Sequence, residues 1–399
     1  MKYSDIKLDI FSEITARMGY GLAIRRELKP LIEGGADIKL IPDQDYLPSH
    51  MKIEDSYWDK LIKDSETKAD NDIRICYCLP PRSKFSDKNK HRIIRSMWET
   101  DKYPREWVAH INRTASIFFA GCDALKASAI NGGITIPVIP TYHTLDIDEW
   151  SKDGPTLEIN EIPDGCIKFL FIGNFIARKN LEQLLLGFSV AFEGVQDVAL
   201  VVKTWAHTND ANGKKHVAEA IKHFYNKATG LSSKPKVSII TDILEESQII
   251  ALIRSCDAYV SVSRGEGFDL PLMQAMAMER LVIATDFLAH KDYMTDSNSI
   301  KVKYTLTPCV DAAAPLYDSY QNWSAPDMGD FITKLKHSYE LIKGGKHLTY
   351  GANARATIKN KYSPEVNSDR IANVIREIRD GKYAQKKVSI KDALKEILI

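Results

Sequence analysis

Short apolar runs alternate with amphipathic segments along most of the chain. Near the amino terminus, IKLDIF is followed by TARMGYG, then by LAIRRELKPLIEGG, then by DIKLIP. A short apolar run bounded by turn residues predicts a buried strand, and a longer segment with helical spacing predicts a helix. The helix is expected to stop at Gly34-Gly35, and Pro30 inside it removes a donor and should bend or shorten it. DIRICYCLP, HRIIRSMW, TASIFFAG and TIPVIP predict further strands and close this half near residue 140. Residues 151–166, SKDGPTLEINEIPDGC, are polar with Gly and Pro and predict a linker.

The pattern then restarts. IKFLFIG predicts a strand, NFIARKN a loop, and LEQLLLGFSVAF a helix with Leu181, Leu184, Leu185 and Phe188 on one stripe. Asn180 and Gln183 have the spacing of an N-cap and its N3 partner. VALVVKT, KVSIIT, AYVSVS and RLVIATD predict strands, and SQIIALIRSC a helix. Strands and helices alternating at this density predict two doubly wound parallel sheets, an α/β architecture whose carboxyl strand ends face a central cleft where ligands bind. The expected domains are 1–155 and 156–382, with a last helix at about 383–399 packing back onto the first.

Composition narrows the function classes. The chain has 399 residues, 44% hydrophobic and 27% charged, as in a soluble globular protein, and its length suits two domains. No apolar run approaches a membrane span, and MKYSDIKLDIFSE lacks a signal pattern, so a cytoplasmic protein without stable membrane insertion is expected. The six cysteines include one close pair, Cys76 and Cys78, whose spacing in a strand points both thiols to one face. No CxxC or Cys/His ligand spacing occurs, so reduced core thiols are expected rather than zinc ligands or disulfides. A net charge of +1 excludes a globally basic nucleic-acid binder. It does leave a local patch, RSKFSDKNKHRIIR from Arg82 to Arg95, which is either a solvated loop or a cationic rim.

Three loops follow strands and precede helices. The first carries Gly19-Tyr20-Gly21, where glycine permits positive φ and close backbone approach to a ligand; packing explains the pattern equally well. The second runs from Gly173 to Asn180 and puts Arg178 and Lys179 at a helix mouth, which reads as a diphosphate seat, the alternative being basic residues that merely solvate the loop. The third is SRGEGFDLPLMQAMA, Ser263 to Ala277. Pro271 suits a first helical turn, so the amides of Phe268 to Leu272 should point at a ligand and receive phosphate. Gly267 lets backbone pass close. Glu266 accepts hydrogen bonds from sugar hydroxyls in this reading, and Gln274, about one turn into the helix, bonds hydroxyls as well.

FLFIGNFIARKNLEQLLLGF together with YVSVSRGEGFDLPLMQAMAMERLVIATD resembles the carboxyl-terminal half of family 4 glycosyltransferases of the GT-B fold, which has two Rossmann-like domains. GYGLAIRREL, MWETDKYPREWV, GITIPVIPTYHTLDID and NWSAPD agree, and the resemblance spans about residues 5 to 380. It implies a retaining enzyme that uses a nucleotide-diphospho-sugar, with UDP favoured over GDP, and that requires no metal or other cofactor. The tripeptides Asp43–Asp45 and Asp146–Asp148 then read as loop carboxylates. The implied donor-binding residues are Gly19, Tyr20, Gly21, Gly173, Arg178, Lys179, Glu266, Gly267, Phe268, Asp269, Leu270 and Gln274. Gln274 stands where the family has a ribose-binding carboxylate, and Asn174 where it often has arginine. The implied catalytic residues are Glu266, Lys179 and Glu99, the last at a place where many relatives carry histidine.

The acceptor is expected against the first domain, with Arg82, Lys84, Trp98 and Glu99 as candidate contacts. A cationic rim suits an anionic acceptor such as a phosphorylated or lipid-linked glycan. Alternatives are a phage-type DNA glycosyltransferase adding glucose or arabinose to hydroxymethylated cytosine in a phage-infected cell, a GT-B nucleotide-sugar epimerase, and a non-catalytic nucleotide-sugar-binding subunit.

Overall fold

The computed structural model describes all residues except 17–18, 44–51, 54, 66–70, 206–210, 228–229, 232, 312 and 384–399. The chain forms two compact units. One comprises Met1–Leu145, Pro315–Gln321 and the segment from Lys361 onward; the other comprises Asp146–Ala314 and Asn322–Asn360.

The first unit is built on six parallel strands: β1 (Lys7–Ser12), β2 (Asp37–Pro42), β3 (Ile73–Tyr77), β4 (His91–Ser96), β5 (Ile117–Ala120) and β6 (Val138–Pro140). Their order is β2-β1-β3-β4-β5-β6, so the winding reverses between β1 and β3. The helix Tyr20–Glu33 runs through Pro30 and completes its last turn before Gly34; Gly35 then takes φ 96°. Pro30 lies so near the end that the expected bend or shortening does not stop the helix short of Glu33.

The second unit repeats the plan with β7 (Ile167–Ile172), β8 (Val198–Lys203), β9 (Lys236–Ile240), β10 (Ala258–Ser261), β11 (Leu281–Thr285) and β12 (Ile300–Val302). The order β12-β11-β10-β7-β8-β9 is that of a Rossmann sheet, with its switch point between β7 and β10. The helix Leu181–Ala191 buries Leu181, Leu184, Leu185 and Phe188 against Phe169, Phe171, Leu200 and Val202. Burying each such side chain is worth about 1.5–3 kcal/mol, and the stripe is what seats this helix with its amino end beside the switch point. An antiparallel hairpin, β13 (Tyr304–Pro308) and β14 (Asn322–Pro326), follows the sheet.

The units divide at Leu145/Asp146 rather than at 155/156, and the chain returns to the first unit at Lys361, well before residue 383. The reason is the helix Pro364–Arg379, whose Ile371, Ile375 and Ile378 are buried. Arg376 binds Asp5 through Nε and Nη2, both at 2.8 Å, and Tyr3 Oη donates to Asp369 at 2.9 Å. The helix expected at 383–399 lies outside the described residues, apart from Tyr383. All six cysteines are unbridged and buried, with Cys76 and Cys78 packed against Phe11. Among the described residues no helix is long and apolar enough to cross a membrane.

Candidate active site

The loops after β7 and β10 flank the switch point of the second sheet, where open α/β sheets bind ligands. After β7 the chain makes a short 3-10 turn, Ala177–Lys179, and Asn180 enters the helix in the left-handed conformation, φ 56°. The Asn180 side chain does not cap the helix. Its Nδ2 donates to Val262 O and to Gln183 Oε1, each at 3.0 Å, and so ties the loop to the end of β10. The expected Asn180–Gln183 cap is therefore replaced by a loop-to-loop tie, which leaves the first amides of the helix available for an anion. Gly173 is required by packing: a Cβ there would sit 3.2 Å from Lys179 Cδ and 2.9 Å from Phe171 Cζ.

The loop after β10 is held against the first one by backbone. Arg264 N–H donates to Arg178 O at 2.8 Å, and Ser263 Oγ to the same oxygen at 3.2 Å. Its left-handed residue is Asp269, φ 61°, rather than Gly265 or Gly267. Asp269 then starts the helix Leu270–Ala277, with Pro271 in the first turn and no side-chain cap. Two helix amino ends without side-chain caps thus border the same switch point.

Between them lies a buried ion triad. Glu266 is 5% exposed; Lys179 Nζ reaches its Oε1 at 2.6 Å and Arg178 Nη1 its Oε2 at 3.1 Å. Arg178 Nη1 also donates to Gly265 O at 2.6 Å. Burial pushes the Glu266 carboxyl up, but Lys179 and then Arg178 outweigh it and hold the carboxyl below its usual range. Two cations against one carboxylate give the triad a net positive charge, and a lysine ammonium has three donors, of which Glu266 takes one. The arrangement can receive a diphosphate while orienting a carboxylate for hydroxyl groups. Gln274 is buried one turn into the second helix.

Several supporting residues carry no local signature in the sequence. His290 Nε2 meets Asp269 Oδ2 at 3.0 Å and its Nδ1 meets Thr285 O at 2.7 Å, so both ring nitrogens act as donors in the charged form. Burial opposes that charge, but the Asp269 hydrogen bond and charge prevail, and the His290 pKa is raised. Tyr259 Oη donates to Asp269 Oδ1 at 3.4 Å, and Tyr293 Oη to Phe268 O at 2.6 Å. NWSAPD proves to be β14: Ser324 N–H donates to Arg264 O at 2.7 Å, and the Arg264 guanidinium lies over the Trp323 ring at 5.3 Å. Their partners lie well away along the chain, where no spacing rule reaches.

In the first unit, Gly19 takes φ 61° with open space around it, whereas a Cβ at Gly21 would press on Glu13 O at 2.6 Å. Gly21 is therefore a packing residue. Tyr20 Oη accepts from Met97 N–H at 2.9 Å and lies 3.2 Å from Ser96 Oγ. Trp98 and Glu99 lie beneath the segment Pro315–Gln321. Tyr317 stacks on Trp98 at 4.7 Å and donates to Glu99 Oε2 at 2.9 Å, while Trp98 Nε1 donates to Gln321 Oε1 at 2.5 Å. Of the six cations between Arg82 and Arg95, four face carboxylates: Arg82 with Asp43, Lys90 with Asp72, Arg92 with Asp87 and Arg95 with Glu27. Lys84 Nζ lies over the Phe11 ring at 5.4 Å. Asp146 accepts from the Asp148 N–H in a local turn; Asp45 lies outside the described residues.

The segment that holds the triad matches the family model for glycosyl transferases group 1, over residues 166–315. This segment is a group 1 glycosyltransferase domain. The glycosyltransferase domain and the unit preceding it share their fold with HepE of Anabaena, solved with UDP and glucose, at TM-score 0.62 and 12% identity over 93% of this chain and 100% of that one. A glycosyltransferase from Rickettsia africae gives 0.64 and 14%, over 93% and 98%. Sucrose-phosphate synthase from Thermosynechococcus elongatus gives 0.64 and 11%, over 94% and 100%. The chain therefore has the GT-B fold of two Rossmann-like units. No curated protein sequence matches it.

Proposed function

We propose that the chain transfers a sugar from a UDP-sugar to a hydroxyl of a glycan, with retention at the anomeric carbon. One observation carries the reading: a net-positive Arg178–Lys179–Glu266 triad stands between two helix amino ends that no side chain caps. That is a seat for a diphosphate next to a carboxylate suited to sugar hydroxyls. The UDP and UDP-glucose bound by HepE support uridine as the donor base.

In this mechanism Lys179, Arg178 and the amides of Leu181, Leu270 and their neighbours stabilise negative charge as it grows on the leaving diphosphate. Glu266 holds donor hydroxyls, and Gln274 bonds the ribose. The bond from the anomeric carbon to the β-phosphate oxygen breaks with its electron pair going to that oxygen. The acceptor oxygen attacks the same face, and its proton passes to the departing phosphate oxygen. No covalent enzyme intermediate forms. A neutral glycan is favoured over DNA or a polyphosphate because four of the six cations in the basic stretch already face carboxylates of the same chain, Arg82 and Arg95 facing buried ones and Lys90 and Arg92 exposed ones. Buried, unbridged thiols suit a reducing compartment, and we place the reaction in the cytoplasm.

Proton NMR of the product formed from UDP-glucose and a saccharide acceptor tests this directly. An α-glucoside is expected from the α-linked donor. A β-glucoside contradicts retention, and an epimerised sugar formed without acceptor contradicts transfer altogether.

A further inference from the structure

Three strand ends stand side by side at the switch point of the first sheet. Ser12, the last residue of β1, is paired with Pro42 of β2 on one side and Tyr77 of β3 on the other. One residue further along, the three chains carry Glu13, Asp43 and Cys78, which are 5%, 3% and 0% exposed. The backbone keeps them in line, because Asp43 N–H donates to Ser12 O at 2.8 Å. Arg82, in the 3-10 turn Pro80–Arg82 after β3, brings Nη2 to 2.5 Å from Asp43 Oδ2.

This corner holds polar atoms that the fold itself does not use. Ser12 Oγ, Glu13 Oε1 and both carboxylate oxygens of Asp43 are buried and receive no hydrogen bond of acceptable geometry among the described residues, where Asp43 has its ion pair with Arg82. A buried polar atom left in this state costs about 1–3 kcal/mol, and native proteins keep few of them. Four on three neighbouring residues, at a topological switch point, mark a place built to receive hydrogen bonds from something else. Three of the four atoms belong to carboxylates, so the ligand that satisfies them brings donors. Two carboxylates facing one arginine also repel an anion. Burial pushes the Glu13 carboxyl up to about 7, with Arg82 opposing and Asp43 adding to the shift, so near neutral pH Glu13 accepts as a carboxylate and can also donate as the acid.

We propose that Ser12, Glu13 and Asp43 form a subsite that reads the hydroxyl groups of a neutral saccharide acceptor, an assignment that rests on the glycosyl-transfer reading above. Glu13 and Asp43 accept from sugar hydroxyls, Ser12 Oγ accepts or donates, and Arg82 fixes the orientation of the Asp43 carboxylate. The basic stretch that begins at Arg82 thus contributes a positioning residue for a neutral ligand rather than a seat for phosphate.

Thermal-shift titration of the full chain tests the subsite, using glucose, N-acetylglucosamine and maltose as probes, with UDP and a DNA duplex in parallel. At least one saccharide is expected to stabilise the wild type. In Glu13→Gln and Asp43→Asn that saccharide should bind at least about tenfold more weakly, the loss of a hydrogen bond to a charged group, while the UDP response keeps its wild-type midpoint. Circular dichroism confirms folding, and Ser12→Ala, which deletes a single oxygen, serves if either carboxylate variant fails to fold; it too should weaken saccharide binding. Saccharide affinity unchanged in the folded variants overturns the proposal, as does a wild type stabilised by the duplex and by no saccharide. Absence of a UDP response in the wild type overturns the donor assignment instead, and saccharide binding that is lost in the variants supports the subsite whatever UDP does.

Discussion

Removing the Glu266 carboxylate has opposite effects on the free protein and on its complex with UDP. In Glu266→Ala the Arg178 guanidinium and the Lys179 ammonium lose a shared partner at 3.1 and 2.6 Å. Glu266 is 5% exposed, so water reaches little of the gap. Breaking a buried ion pair by deleting one member costs about 3–5 kcal/mol. For a unit of this size each kcal/mol is worth about 2–4 °C, so the unliganded variant should melt on the order of 10 °C lower than wild type. The triad meanwhile goes from a net charge of one to two, and the diphosphate of UDP becomes the substitute counter-ion. The melting-temperature gain on adding saturating UDP should therefore be larger in the variant than in wild type, while sugar transfer falls by at least about a hundredfold, or ~2.7 kcal/mol. Differential scanning calorimetry with and without UDP, paired with a UDP-release assay, reads all three quantities. A variant that melts with wild type and responds to UDP identically would refute the buried triad. One that transfers sugar at the wild-type rate would refute the role of Glu266.

Other parts of the second unit give independent checks. Lys203, buried at the end of β8, has its pKa lowered to about 8, chiefly by burial. The unfolded chain then binds more protons between about 8 and 10.5, so stability rises with pH across that window; Lys203→Met should remove the rise and stabilise the protein by about 3 kcal/mol at pH 7, as denaturant titration would show. His290 is raised by Asp269, so its ion pair contributes fully below the unfolded pKa near 6.5 and is lost as pH climbs through the folded value. The stability difference between wild type and Asp269→Asn should accordingly shrink from pH 6 to pH 9, with a constant difference counting against the pair. Gly173→Ala, whose Cβ presses on Phe171 Cζ and Lys179 Cδ, should destabilise the protein by about 1–3 kcal/mol and weaken UDP binding about tenfold; unaltered affinity would mean that Lys179 is not positioned through this contact.

Where the sequence was legible, the cause was periodicity. The predicted strands from IKLDIF to RLVIATD correspond to β1 through β11, because a parallel sheet covered on both faces writes continuous apolar runs. β13 escaped notice because its Leu306 is exposed and the strand shows no such run. The return of the chain at Lys361 was missed for another reason: Ile371, Ile375 and Ile378 have helical spacing, but spacing cannot say which unit receives them. At the candidate site, the two glycine loops and their residues Arg178, Lys179 and Glu266 were visible, since helix mouths and turn residues are local features. Their mutual pairing was not, and neither was the Asp269–His290 contact, whose members come from different elements. Asn180 had the spacing of a cap, yet its left-handed backbone turns its amide to Val262 instead.

Calorimetric titration of UDP into wild type and into Lys179→Ala is the most direct test of the account. Lys179 is expected to meet the diphosphate through charge-assisted hydrogen bonds, each worth about 1.5–3 kcal/mol. Wild type should bind UDP, and the variant should bind it about 10- to 100-fold more weakly while remaining folded. Equal affinities, or a wild type that does not bind UDP, would contradict the placement of the donor at the Arg178–Lys179–Glu266 triad.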